Sequence, residues 1–198
     1  MDFSWLVIGV IRNMINLDIL HNAEGRELED EGRDLFCSLD FNCFGRLNHV
    51  RLLDIDPEGL HSPNDHLEID YIIPVGNFCI LGEITARSGE RAVSRKYSRF
   101  RRQYDLLTRL DWNDNLLTTI GIPQDQHWKF SDIQGFRGVY ISTQFEKIDL
   151  ELAEVGGMVC LYKSDLTQLT SYGNSIGKYY RNHLLHLFDI DLQPQNAI

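Results

Sequence analysis

Positions 67 to 87 place two acids inside strongly apolar runs, and no other stretch constrains the fold as tightly. It reads Leu67-Glu68-Ile69-Asp70-Tyr71-Ile72-Ile73, a turn at Pro74-Val75-Gly76-Asn77, then Phe78-Cys79-Ile80-Leu81-Gly82-Glu83-Ile84-Thr85-Ala86-Arg87. Apolar runs of this length, bounded by Pro and Gly, predict two buried strands joined as a hairpin. A carboxylate in a buried strand is costly unless its charge is compensated. Asp70 lies four residues before Pro74 and Glu83 six after Asn77, so a hairpin sets them side by side on neighbouring strands. Glu68 shares the Asp70 face, because side chains alternate along a strand. The compensating group is either a divalent cation bridging Asp70 and Glu83 or a structural ion pair with an Arg, and the spacing favours the cation.

At 198 residues the chain suits one good core rather than two full domains. The expected division is an N-terminal apolar element at 1–22, a domain at 23–190 and a polar tail or linker at 191–198. The apolar run from Trp5 to Ile11 is ended by Arg12. It is too short to span a bilayer and lacks the flanks of a signal peptide, so it reads as a buried element. The four Cys, at 37, 43, 79 and 160, form no C-x-x-C pair. Reduced thiols in a cytoplasmic protein without a membrane anchor are the expectation. The polar tail suggests a further domain or a protein partner, and self-association is left open.

The net charge of −10 argues against general nucleic-acid affinity, but its distribution is uneven. Residues 87 to 109 hold Arg87, Arg91, Arg95, Lys96, Arg99, Arg101, Arg102 and Arg109 against Glu90 and Asp105. That window carries +6 and leaves −16 for the rest, so it reads as a focused anion site. A long amphipathic helix is expected over 90–110, with Val93, Tyr97, Phe100, Tyr104 and Leu107 as its apolar stripe. Arg91, Arg95, Arg99 and Arg102 form a second stripe on the far side; at 100° per residue Arg91 stands roughly 160° from Val93. Lys96 and Gln103 fall on the border of the buried stripe. From there Lys96 either reaches the acids or covers apolar surface with its stem.

A helix is also expected over 23–39, strands at 49–54, 136–142 and 157–162, an irregular stretch over 111–135, and a closing helix over 164–188. Together these make an α/β fold, a central mixed sheet flanked by helices.

A helix with an acid, then Asp70, then Glu83 late in the next strand, then a basic amphipathic helix resembles the PD-(D/E)XK nuclease superfamily, the restriction-endonuclease-like fold. The resemblance runs from about Ala23 to Phe188. Gly25-Arg26-Glu27-Leu28-Glu29 resembles the family's first-helix segment, which makes Glu29 its carboxylate, with Glu31 as the alternative. Asp70 and Glu83 match the two strand acids. The family's lysine position holds Thr85 here, so Lys96 from the following helix is the replacement and Arg87 the second choice. The resemblance implies Mg²⁺ or Mn²⁺ held by Asp70, Glu83 and the Ile84 carbonyl, with Lys96 completing the catalytic set. It implies hydrolysis of DNA or RNA, with Arg87, Arg91, Arg95, Arg99 and Arg102 on the phosphate backbone. An effector or restriction component of a larger prokaryotic system fits that chemistry. The alternative is a nuclease-like module that binds nucleic acid or protein without cutting, as Thr85 would suggest.

Other patterns carry less. Gly173-Asn174-Ser175-Ile176-Gly177 matches G-x-S-x-G, but the elbow needs a strand directly before the Ser, and a helical pattern precedes it. His183 and His186 read as surface or packing residues. His66 adjoins the hairpin, and a structural role is expected for it.

Overall fold

The computed structural model describes residues 25–39, 41–45, 47–85, 90–142, 158–162, 164, 181–182 and 184–190. The N-terminal element, Arg87, the G-x-S-x-G segment, His183, the tail and most of the closing helix lie outside these, as does the side chain of Arg91.

The elements run α1 (Gly25–Ser38), α2 (Leu52–Ile55), β1 (Tyr71–Val75), β2 (Phe78–Thr85), α3 (Glu90–Leu107), α4 (Asp114–Ile120), a 3-10 helix (Gln124–Phe130), β3 (Gly135–Ser142) and β4 (Met158–Tyr162). The sheet order is β1-β2-β3-β4. β1 and β2 are antiparallel, with Tyr71 opposite Gly82 and Val75 opposite Phe78. β2, β3 and β4 run parallel. This is the expected mixed sheet between helices, an α/β architecture. Gly76 turns the hairpin with φ of 59°, the positive φ that a two-residue connection needs.

Each face of the sheet buries its own apolar layer. Ile72, Cys79 and Leu81 pack with Tyr97, Phe100, Tyr104 and Leu107 of α3 and with Leu116, Leu117 and Ile120 of α4. Tyr71, Ile73, Ile80 and Ile84 pack on the other face with Phe36 and Leu39 and with Leu184, Leu185 and Phe188 near the C-terminus. Alternation therefore sends Cys79, Leu81, Glu83 and Thr85 toward α3, and Ile80, Gly82 and Ile84 toward α1. The parallel strands are buried on both faces, which explains why β2 reads as a nearly unbroken apolar run.

Two expectations fail. Residues 49–54 are not a strand: Arg51 makes one bridge to His66, and the chain turns at once into α2. That turn is closed by Asp56 N donating to Leu52 O at 2.8 Å and by an Arg51–Asp54 ion pair at 2.7 Å. The stretch 111–135 is not irregular. Asn113 caps α4 by accepting from Asn115 N at 3.0 Å and Leu116 N at 3.1 Å, and Gly121 ends it in the left-handed region at φ 92°. His127 then joins this helix to the 3-10 turn, 2.8 Å from Asp114 Oδ1 and donating to Ile122 O at 3.0 Å. Both are short elements held by caps and tertiary contacts, which a periodicity of 11 or more residues does not register. Among the described residues, no helix is long and apolar enough to cross a membrane.

Candidate active site at the end of the hairpin

Asp70 directly precedes β1, and the Tyr71–Gly82 register extended by one pair sets it opposite Glu83. Its backbone N–H donates to Gly82 O at 3.0 Å, and its carboxylate Oδ2 accepts from Ile84 N at 2.8 Å. The end of the hairpin is thus closed partly by a side chain. Glu83 is 1 % exposed, because its strand is covered on both faces.

Lys96 reaches this pair from α3. Its Nζ is 2.6 Å from Glu83 Oε1 and donates to Ile84 O at 2.9 Å. The expected position on the border of the helix stripe is therefore confirmed, and of the two readings of Lys96 the reach toward the acids is the observed one. Burial pushes the Asp70 carboxyl up, against the Lys96 charge and the Ile84 N–H, which lower it. Burial also holds Glu83 well above the usual carboxylate range, and the neighbouring Asp70 charge adds to that. For Lys96, burial lowers its proton affinity, but Glu83, then Asp70 and more weakly Glu29 outweigh it, so the ammonium is held charged. One cation faces two raised carboxyls whose side chains also bond to each other, and Glu83 Oε2 is buried with no N–H or hydroxyl donor.

Glu29 projects from α1 and is half-buried. Its charge acts on Lys96, and its backbone carbonyl accepts from the Tyr71 hydroxyl at 3.1 Å. Gly32 lets α1 come this close: a Cβ there would run into the Tyr71 ring and hydroxyl. The alternative acid, Glu31, is exposed. Thr85, the uncharged residue two positions after Glu83, is 2 % exposed.

The basic helix differs in part from expectation. Arg95 and Arg102 are exposed and have no ion pair among the described residues. Arg99 is held in a two-pronged pair with Glu68, at 2.9 and 2.6 Å. Glu68 is thus committed to Arg99, but it shares the Asp70 side as expected: Leu67, Ile69 and Tyr71 are buried while Glu68 is exposed and Asp70 half-buried, and the Glu68 charge acts on Asp70. Among the described residues no three acids, histidines or cysteines converge as a ready-made metal cage. His66 has the expected structural role, with Nδ1 donating to Asn64 O at 2.8 Å and its ring stacked on His49 at 3.9 Å.

Gln103 is a supporting residue that the sequence placed without a role. It is 5 % exposed. Its Oε1 accepts from Glu68 N at 2.6 Å and its Nε2 donates to His66 O at 2.9 Å. It stands seven residues after Lys96, on the same side of α3, so one helix edge grips both the acids and the segment leading into Asp70. A polar residue recurring on the border of an apolar stripe was the available signal.

The oxygen-rich donor set fits a hard cation. Mg²⁺ commonly binds through one or two carboxylates, with waters and substrate phosphates supplying the rest, and the partnerless Glu83 Oε2 is a vacant buried acceptor of that kind.

No family model matches the chain, and no curated protein matches it. Among solved structures, the chain is similar to the small subunit of the heterodimeric restriction endonuclease R.BspD6I, at 13 % identity and a TM-score of 0.48, over 93 % of this chain and 87 % of that one.

Proposed function

We propose that the protein is a metal-dependent nuclease that hydrolyses phosphodiester bonds of DNA or RNA. The observation that carries this reading is the partnerless, buried Glu83 Oε2 beside Asp70, two carboxyls whose charge Lys96 only partly offsets. Asp70 accepts from Ile84 N and Glu83 Oε1 meets Lys96, which leaves Glu83 Oε2 as the buried oxygen without a donor, a destabilising arrangement that a bound cation would relieve.

Asp70, Glu83 and the Ile84 carbonyl would hold Mg²⁺ or Mn²⁺. When bound, the ion supplies a low-pKa water and neutralises charge at phosphorus. Ile84 O now accepts from Lys96, so Lys96 would swing from that carbonyl toward the phosphate as the site fills. There its ammonium orients the water or stabilises the developing charge. Glu29 would assist from α1, where its field already acts on Lys96. Arg95 and Arg102 would contact phosphates. Arg99 is reserved for Glu68, while Arg87 and Arg91 stay in the proposal on sequence grounds alone.

The buried Thr85 favours one competing reading, a module that binds without cutting. Incubation of the wild type with labelled DNA and RNA in Mg²⁺ or Mn²⁺ decides between the two. Cleavage that vanishes in Asp70→Asn and Glu83→Gln supports the nuclease. Binding without cleavage under all those conditions supports the module.

A further inference from the structure

We propose that the cleft of about 870 Å³ between α3 and residues 60–68 holds the nucleic-acid strand that runs away from the scissile phosphate. This rests on the nuclease reading and adds the path of the strand. One wall is α3 and the turn that follows it: Arg102 and Gln103 from the helix and Arg109 from the turn. The other is the segment carrying Leu60, His61, Asn64 and His66. Glu68 and Gln103 also line the cleft, so its lining comes within two residues of Asp70 in the sequence.

The charges in the cleft are sorted by their partners. Arg99 is neutralised by Glu68, and Asp105 by Arg101 at 3.1 Å. Asp65 accepts from Ser62 N at 2.9 Å. Arg102 has no ionic partner among the described residues, and Arg109 uses only its Nε, donating to Asp105 O at 2.8 Å. Arg95, Arg102 and Arg109 are all exposed and recur every seven residues. Seven residues turn a helix to within about 20° of its starting direction and advance it about 10.5 Å, so Arg95 and Arg102 share one side of α3, and Arg109 follows in the turn just after the helix ends at Leu107. Of these cations without an ionic partner among the described residues, Arg102 and Arg109 line the cleft, and Arg95 directly precedes Lys96 on the same helix as Arg102.

The facing wall is suited to bases. Leu60 is fully exposed, at 106 %, so no core contact holds it. His66 is stacked on His49 with rings 14° apart, an aromatic platform on a polar wall. A row of cations facing apolar and aromatic side chains is the arrangement that follows one strand, phosphates on one side and bases on the other.

The test is the affinity of the full chain for a fluorescein-labelled 20-nucleotide DNA, as single strand and as duplex, and for the RNA of that sequence, all in EDTA. Arg102→Ala with Arg109→Ala should weaken binding at least tenfold at 0.1 M salt and flatten the log–log salt slope by about two. Leu60→Ala should weaken it about fivefold and leave the slope unchanged. Unaltered melting temperatures for these exposed positions separate binding from folding. Single-strand affinity at or above that for duplex is expected. Equal affinity of wild type and the double arginine variant, or no binding of any of the three polymers, overturns the cleft. The nuclease reading is judged separately, by the metal-induced melting shift and its loss in Asp70→Asn.

Discussion

Lys96 Nζ lies 2.6 Å from Glu83 Oε1, and the same ammonium holds the carbonyl of the next residue in β2 at 2.9 Å. The side chain that neutralises the buried acid therefore also covers a proposed metal ligand. Lys96→Ala should lower cleavage about 10²-fold or more, comparable to losing a preorganised charge at the transition state. It should also cost about 3 kcal/mol of stability without metal, since it strands a buried carboxylate. Urea denaturation with and without Mg²⁺ checks this: the ion should recover most of the lost stability in Lys96→Ala. Full cleavage by that variant would remove the helix lysine from the mechanism and point to Arg87.

Mg²⁺ or Mn²⁺ should raise the melting temperature of the wild type, because a ligand that binds only the folded state stabilises it by mass action. Asp70→Asn should abolish the shift. A shift of equal size in the variant would dismiss the Asp70–Glu83 metal site.

The pH dependence follows from the raised carboxyls. Asp70 and Glu83 both bind protons more tightly folded than unfolded. As pH rises from the ordinary carboxylate range near ~4, the unfolded chain releases its protons first. Stability without metal should then fall as pH climbs through the raised folded values. Glu83→Gln should be less pH-dependent than wild type between pH 5 and 8 in chemical denaturation. An identical pH slope in the two proteins would contradict the assigned burial effect.

Gln103→Leu leaves Glu68 N and His66 O without the partners they have now. Each unsatisfied buried group costs about 1–3 kcal/mol. Because the segment leads into Asp70, Mg²⁺ affinity should fall as well. A variant that loses stability but keeps wild-type Mg²⁺ affinity would confine Gln103 to folding.

Gly32→Ala should cost about 1–3 kcal/mol through overpacking, since the new methyl meets the Tyr71 hydroxyl that bonds to Glu29 O. Tyr71→Phe removes only that bond, at about 1 kcal/mol. Thermal melts of the two variants separate crowding from the lost hydrogen bond, and Gly32→Ala melting like wild type would show that α1 can back away from the sheet.

The hairpin and its two acids were legible because strand periodicity and a Gly turn are local properties. Burial of Ile72, Ile73, Ile80 and Leu81 follows from side-chain character alone, and so do the apolar stripe of α3 and the place of Lys96 on its border. The capped α4 and the turn at Leu52 were not legible, because single hydrogen bonds set them rather than a repeating pattern. Which arginines are free was also decided only in three dimensions. Arg99 and Arg102 are alike in sequence and both line the cleft, yet one meets Glu68 across the fold and the other has no ionic partner among the described residues. Sequence determined which residues carry charge and which face of an element they occupy. Tertiary structure decided how those charges pair, because an ion pair depends on the approach of segments 31 residues apart, and local periodicity does not encode that distance.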